Sequence, residues 1–344
     1  MEERALASPK ESASQFQMLL VEKYSAESQQ VWDNFVARSN CASFLFYRRY
    51  MDYHRDRFED HSLMIFDKTQ TTLLAVLPAC RLEHNLHSHA GLTFGGLIVP
   101  ASGLGISQIR RIFDSIRLYL SENAFRSLYY AACPDYFEYQ HSQADEHALI
   151  AFGAENYRVD TSFVIDLNQQ DPTQGFSSRR KRGISKASKL GYKVIEMEDF
   201  SQYWGNILIP NLKVRFGSNP VHSIEEIHRI KYHFPDQVRL FVSELNGSMT
   251  AGVVIYDCGI TAHCQYISAN SEGKDTGALD FLISHLLLTF REKNYRYFSL
   301  GTANEDSGRL LNEGLCIWKE EFGSRVFAHR FYRLGARIYD NTPE

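Results

Sequence analysis

The chain has 344 residues, 44% hydrophobic and 23% charged, enough apolar mass for two ordinary cores and too much for a disordered chain. Its formal net charge of -4 excludes a nucleic-acid-binding polycation, so any contact with nucleic acid requires a local patch. No run approaches the roughly 20 apolar residues of a membrane span, so no stable membrane insertion is expected. The N-terminal MEERALASPKESASQFQ lacks the apolar stretch of a signal peptide, and the six scattered cysteines point to reduced thiols in the cytoplasm.

Residues 1–26 read as a polar, flexible tail. Val31, Trp32 and Phe35 predict a helix over 27–38, which Ser39-Asn40 ends. The aromatic, basic stretch 43–58 begins as a turn or short helix. Two strand-like runs follow, HSLMIFD (61–67) and TTLLAVLPACRLE (71–83), joined by a polar hairpin link. GLTFGGLIVP (91–100) reads as a third strand, interrupted by Gly95-Gly96. Ile109, Ile112, Phe113, Ile116 and Leu120 recur at threes and fours and mark a long helix over 107–123. RSLYYAACP is a strand that Pro134 ends, and a short helix then leads to a strand near 161–167.

The second half repeats this order. A helix over 178–190 precedes the strand YKVIEME, and 200–234 is helical. Strands QVRLFVSEL, MTAGVVIYD and ITAHCQYISA follow, with the hairpin signal Asn246-Gly247 between the first two. A helix over 277–293, the strand YRYFSLG, the segment ANEDSGRLLNEGLCIWKEEFG and the closing strand RVFAHRFYRL complete the chain. Two α+β domains follow from this repetition, 27–170 and 171–344, divided in the turn-rich NQQDPTQG. The last strand is free to return to the first domain.

Four segments carry a family resemblance: MDYHRDRFEDHSLMIFD (51–67), HSHAGLTFGGLIV (87–99), SSRRKRGISKASKLGYKV (177–194) and GLCIWKEEFG (314–323). In this order they resemble the FemAB-like branch of the GNAT acyltransferase superfamily. The likeness is closer still to the GNAT-type N-acyltransferases encoded with bacterial cell-surface polysaccharide enzymes. The resemblance covers nearly the whole chain after residue 27. It implies an α+β fold of two tandem GNAT-like domains with mixed, largely antiparallel sheets. It also implies an enzyme that joins an acyl group to an amine, the acceptor being a sugar nucleotide or glycan precursor. The donor is acyl-CoA (acetyl-CoA among the choices) or, as in FemAB members, charged tRNA. The ordinary acyl-CoA loop, Arg/Gln-x-x-Gly-x-Gly/Ala before a helix, is absent. Its place is taken by SANSEGKDTGALDFL, with glycines at 273 and 277 only.

Arg179, Arg182, Lys186 and Lys189 recur at threes and fours in a run without acidic residues, behind the capping serines Ser177 and Ser178. One helix face is therefore strongly positive, suited to a diphosphate or a tRNA backbone, or simply to solvent. Lys319 in IWKEEFG resembles the lysine of the FemAB-type F-K-x-x-F-G segment, with Trp318 in the place of Phe. Beside an acyl carbonyl it stabilises a developing oxyanion; otherwise it is a surface partner of Glu320 or Glu321. His54 is suited to accept the amine proton, with Arg57 binding an acceptor anion and Tyr53 shaping the pocket. The alternative is a structural Asp-Arg network in the same loop.

His89, Thr93, Gly95 and Gly96 are candidates for the acceptor cleft, since glycine lets a ligand approach the backbone. Gly301 and Asn304 follow a strand end that borders the donor cleft in GNAT-like domains, where Asn304 would hold the acyl amide. His84, His87 and His89, and separately Cys258, His263 and Cys264, lack recognisable zinc spacing, so no metal is expected and these histidines read as core or loop residues. No Ser-His-Asp or Cys-His signature occurs, so direct amine attack is the expected chemistry. The remaining alternative is a non-catalytic module that holds a glycan or nucleic acid.

Overall fold

The computed structural model describes residues 19–88, 90–169 and 171–337, with only the backbone at His54 and Phe216. In the first half the strands are Leu20–Lys23 (β1), Glu59–Asp60 (β2), Leu63–Phe66 (β3), Leu73–Leu77 (β4), Cys80–Leu82 (β5), Asn85–His87 (β6) and Ser127–Ala131 (β7). Its helices are Gln29–Ala37 (α1), Arg48–Met51 (α2), Ile106–Glu122 (α3) and Ala144–Ala151 (α4). The second half opens with Glu155–Asp166 (β8), Ser178–Leu190 (α5), Lys193–Met197 (β9), Ser201–Tyr203 (α6), Ile209–Phe216 (α7) and Ile224–His233 (α8). Three long strands follow, Val238–Leu245 (β10), Ser248–Cys258 (β11) and Thr261–Ala269 (β12). The chain then runs through Ser271–Thr276 (α9), Ala278–Glu292 (α10), Tyr297–Thr302 (β13), Asn304–Glu305 (β14), Leu310–Leu311 (β15), Glu313–Glu320 (α11) and Arg325–Gly335 (β16).

Eleven strands form one sheet in the order β2-β5-β6-β7-β16-β8-β13-β12-β11-β10-β9. Only β6–β7 and β12–β13 run parallel in it. Each parallel pair is joined through a helix, α3 in the first half and α10 in the second, because a parallel connection needs a crossover. The apolar stripe of α3 (Ile109, Ile112, Phe113, Ile116, Leu120) packs with Leu63, Leu77, Leu128 and Tyr130. That of α10 (Leu282, Ile283, Leu286, Leu287, Phe290) packs with Phe163, Ile165, Val253, Ile255 and Phe298. Each such side chain contributes about 1.5–3 kcal/mol on burial. A third core joins the halves, bringing Phe44, Tyr50, Phe94 and Phe137 against Trp204, Val254 and Tyr256.

The structure corrects several sequence expectations. Part of the expected tail is the strand β1, paired with β3 and held by Leu19 and Val21 at the α3 core. In α1, Trp32 and Val36 are buried while Val31 faces solvent. GLTFGGLIVP is not a continuous strand: Gly96 takes φ +105, Leu97 N–H donates to the Tyr130 hydroxyl, and two isolated bridges join Ile98 to Val76 and Pro100 to Ser39. The Asn246-Gly247 hairpin forms as expected, with positive φ at both residues. The boundary expected near 170 divides β8 from β13, which are hydrogen-bonded neighbours, and β16 lies between β7 and β8.

Gly277, at φ +80, separates α9 from α10, and a Cβ there would overlap the Gly183 carbonyl of α5. Gly277→Ala is expected to lower the thermal unfolding midpoint by the equivalent of about 1–3 kcal/mol, read by scanning calorimetry. An unchanged midpoint would mean that α5 does not rest on this turn.

Candidate active site

Strands β12 and β13 pair through three residues each, from Thr261↔Tyr297 to His263↔Ser299, and then part. β12 continues along β11 while β13 stays with β8. The wedge between them is lined by residues 264–269 on one side and 300–302 on the other, and it opens into a cavity of about 1290 Å³. A register shift opposite Val254 and Ile255 leaves Gln265 without a partner on β11. Gln265 lines the cavity, where its Oε1 accepts from the Thr93 hydroxyl at 3.4 Å.

Lys319 sits at the closed end of the wedge. Asn312 caps α11 by accepting from Leu315 N–H at 3.0 Å, which directs the helix so that Lys319 is buried, 3% exposed. Its Nζ donates to the carbonyls of Gly301 at 3.0 Å and Thr302 at 2.6 Å and lies 5.5 Å from the Phe163 ring centre. Burial pushes the ammonium down to about 7. An ammonium has three donors, so one N–H remains for a ligand.

The basic helix α5 divides its charges between structure and surface. Ser177 Oγ accepts from Arg180 N–H and caps it. Arg180 is buried and pairs with Asp280 at 2.5 Å and Glu321 at 3.0 Å, tying α5 to α10 and to the residue after α11. Burial raises the Asp280 carboxyl even so, with Arg180 opposing the rise. Arg179, Arg182 and Lys186 are exposed on the cavity wall, and Lys186 Nζ donates to Asp275 O at 2.8 Å. Arg215 of α7 and Lys274 of α9 line the same cavity. Burial, then the Arg215 charge, lowers the Lys274 ammonium.

The opposite wall is aromatic. Tyr53 lines it, pushed up to about 12 by burial, with the Arg57 guanidinium 5.7 Å from its ring centre. Arg57 also pairs with Glu226 at 2.7 Å. His222 Nδ1 lies 2.6 Å from the Tyr266 hydroxyl. Trp318 lines the cavity beside Gly301 and packs edge-on against Phe322.

Of the residues singled out in the sequence, the structure brings Tyr53, Arg57 and Thr93 from the first half to this cavity. From the second half it brings Arg179, Arg182, Lys186, Gly301, Trp318 and Lys319. His89 and the side chain of His54 lie outside the described residues. Gly95 and Gly96 are not on the wall; Gly96 packs against Cys133 N and the Tyr130 hydroxyl instead. Asn304 is also off the wall, because its Oδ1 accepts from Thr161 N–H at 2.6 Å and the Thr161 hydroxyl at 2.7 Å and so ties β14 to β8. Sequence reasoning missed Arg215, His222, Gln265 and Lys274, and it read His263 as a core or loop histidine. His222 precedes the capping box Ser223–Glu226, the one local signal near it.

No family model and no curated protein matches the chain. Among solved structures, FemX superposes with a TM-score of 0.68 at 12% identity, over 91% of this chain and 97% of that one. The C-terminal domain of a candidate lysylphosphatidylglycerol synthetase from Agrobacterium fabrum gives 0.61 at 13%, over 90% and 92%. A tandem GNAT protein from the clavulanic acid biosynthesis pathway gives 0.51 at 12%, over 94% and 100%. The fold is tandem GNAT, of the FemAB-like kind. The stretch that the sequence analysis sets in the place of the acyl-CoA loop is folded into the end of β12, α9 and the start of α10. Its Gly273 and Gly277 serve close packing, against Thr250 O and Gly183.

Between about 7 and the unfolded value of 10.5, Lys319 binds fewer protons folded than unfolded. Its contribution therefore makes the protein more stable as pH rises through this window. Lys319→Met is expected to flatten the dependence of the unfolding midpoint on pH across about pH 7 to 10. Equal slopes for the two proteins would contradict the burial argument.

Proposed function

We propose that the chain is an N-acyltransferase that moves an acyl group from acyl-CoA, acetyl-CoA included, to the amine of a sugar nucleotide or cell-surface glycan precursor. The observation that carries this reading is Lys319, an ammonium held out of water where β12 and β13 part, on a cavity walled by Arg179, Arg182 and Lys186. The free N–H of Lys319 meets the carbonyl oxygen as it gains negative charge. The α5 cations hold phosphate through charge-assisted hydrogen bonds, and Arg57 holds an anionic group of the acceptor. Tyr53, Trp318, Thr93 and Gly301 shape the wall around the two substrates. The amine attacks the thioester directly; the C–N bond forms and the C–S bond breaks, with no covalent enzyme intermediate. In the sequence reading His54 takes the proton.

One observation favours charged tRNA as donor instead: the stretch in the place of the acyl-CoA loop forms α9 and the start of α10, with Gly277 packed against Gly183 of α5. The same cations would then hold the tRNA backbone. Both donors are made in the cytoplasm, where we place the protein, and no described helix is long and apolar enough to cross a membrane.

Mass spectrometry of the acceptor after incubation with acetyl-CoA or charged tRNA and a set of amino-sugar nucleotides tests the reading. A gain of one acetyl group is expected with acetyl-CoA. A gain with charged tRNA alone would reverse the donor, and no gain with either would end the proposal. The double substitution of Arg179 and Arg182 by Gln is expected to raise KM for the donor about tenfold or more while kcat changes little. Steady-state kinetics at low and high salt read this, because screening should shrink the difference.

A further inference from the structure

We propose that His263 carries the proton of the transfer step, accepting it from the attacking amine and delivering it to the leaving group. This inference rests on the N-acyltransferase reading above and gives to His263 the part first assigned to His54. His263 is the last β12 residue paired with β13, so it stands where the strands part. It lines the cavity and is only 7% exposed. Its Nδ1 lies 3.1 Å from Ser299 Oγ, which also accepts from Gly301 N–H at 3.3 Å. Phe137 packs edge-on at 5.8 Å and fixes the ring plane. The other ring nitrogen, Nε2, bonds to no described residue and is not among the polar atoms sealed from solvent.

Gly301 joins this imidazole to Lys319. A Cβ on Gly301 would lie 3.8 Å from His263 Cε1, and the Gly301 carbonyl accepts from Lys319 Nζ. A proton carrier and an oxyanion donor thus flank one residue that has no side chain to separate them. Burial, with the Lys319 charge adding to it, lowers the His263 imidazole to about 4, so it waits as the neutral acceptor.

The step balances without another reagent. The amine lone pair forms the C–N bond, and the carbonyl electrons move to the oxygen beside Lys319. The nitrogen, now positive, loses a proton to Nε2. Collapse breaks the C–S bond, and the departing sulfur takes that proton. The products are an amide and a thiol, and His263 returns to its neutral form. A weakly basic imidazole makes a strongly acidic imidazolium, so delivery to a thiolate of ordinary pKa near ~8.5 is downhill.

The test compares wild type, His263→Gln and Ser299→Ala, using acetyl-CoA with the amino-sugar nucleotide that the wild type accepts. For His263→Gln, kcat is expected to fall about a hundredfold or more, with KM for acetyl-CoA within about threefold. Ser299→Ala, which frees the ring but keeps it, is expected to cost about tenfold. Hydroxylamine as acceptor, a weaker base whose nitrogen sheds its proton more readily once it has attacked, should narrow both gaps; a purely structural defect would not respond to the acceptor. A folded His263→Gln that keeps kcat within about threefold overturns the inference and leaves the acyltransferase reading standing. If His263→Gln does not fold, an unchanged kcat in Ser299→Ala overturns it equally. A wild type that transfers nothing to any amine removes both.

Discussion

A strand that loses its neighbour must find donors for its carbonyls, and an ammonium taken out of water must find acceptors. At the end of β13 these two needs answer each other: the Gly301 and Thr302 carbonyls accept from Lys319. Left alone, the buried ammonium would cost several kcal/mol. The exchange lets β12 and β13 part without leaving polar backbone stranded. It also fixes α11 against the sheet, so the wedge, the cavity floor and the seat of Trp318 follow from one lysine.

The cationic wall has a similar division of labour. Arg180, Asp280 and Glu321 form a buried network that joins α5 to α10 and the end of α11. Removing one partner of such a network typically costs about 3–5 kcal/mol, because the others keep uncompensated charge. With Arg180 used inward, the helix is oriented so that Arg179, Arg182 and Lys186 meet the cavity. The four charges therefore differ in role although they are adjacent in sequence.

Much of the fold was legible because it rests on local pattern. The stripes of α3 and α10, the Asn246-Gly247 hairpin and the basic face of α5 are all short-range signals. β1 was not legible, since its four residues become a strand only when β3 offers an edge. GLTFGGLIVP misled because it turns at Gly96 and pairs only through isolated bridges, while Phe94, Leu97 and Ile98 are buried all the same. Within the candidate site, Lys319 and the α5 cations came to notice through family resemblance and spacing. His222 and Lys274 did not, and His263 was set aside as a core or loop histidine, because their meaning lies in neighbours far along the chain. His263, for example, takes its meaning from Ser299 and Lys319, which reach it only once the sheet is assembled. Asn304 sat beside the right strand end, but Thr161 occupies its side chain.

The position of β16 bears on how such a molecule comes into being. It is the last strand described, yet it lies in the middle of the sheet, with β7 on one side and β8 on the other. During synthesis the ribosome delivers this seam after everything it joins. Until residues 325–335 emerge, the facing edges of β7 and β8 stand open, and open edges invite pairing with other chains. The nascent protein thus passes through an interval in which sheet closure competes with self-association, and the time residues 325–335 take to emerge sets its length.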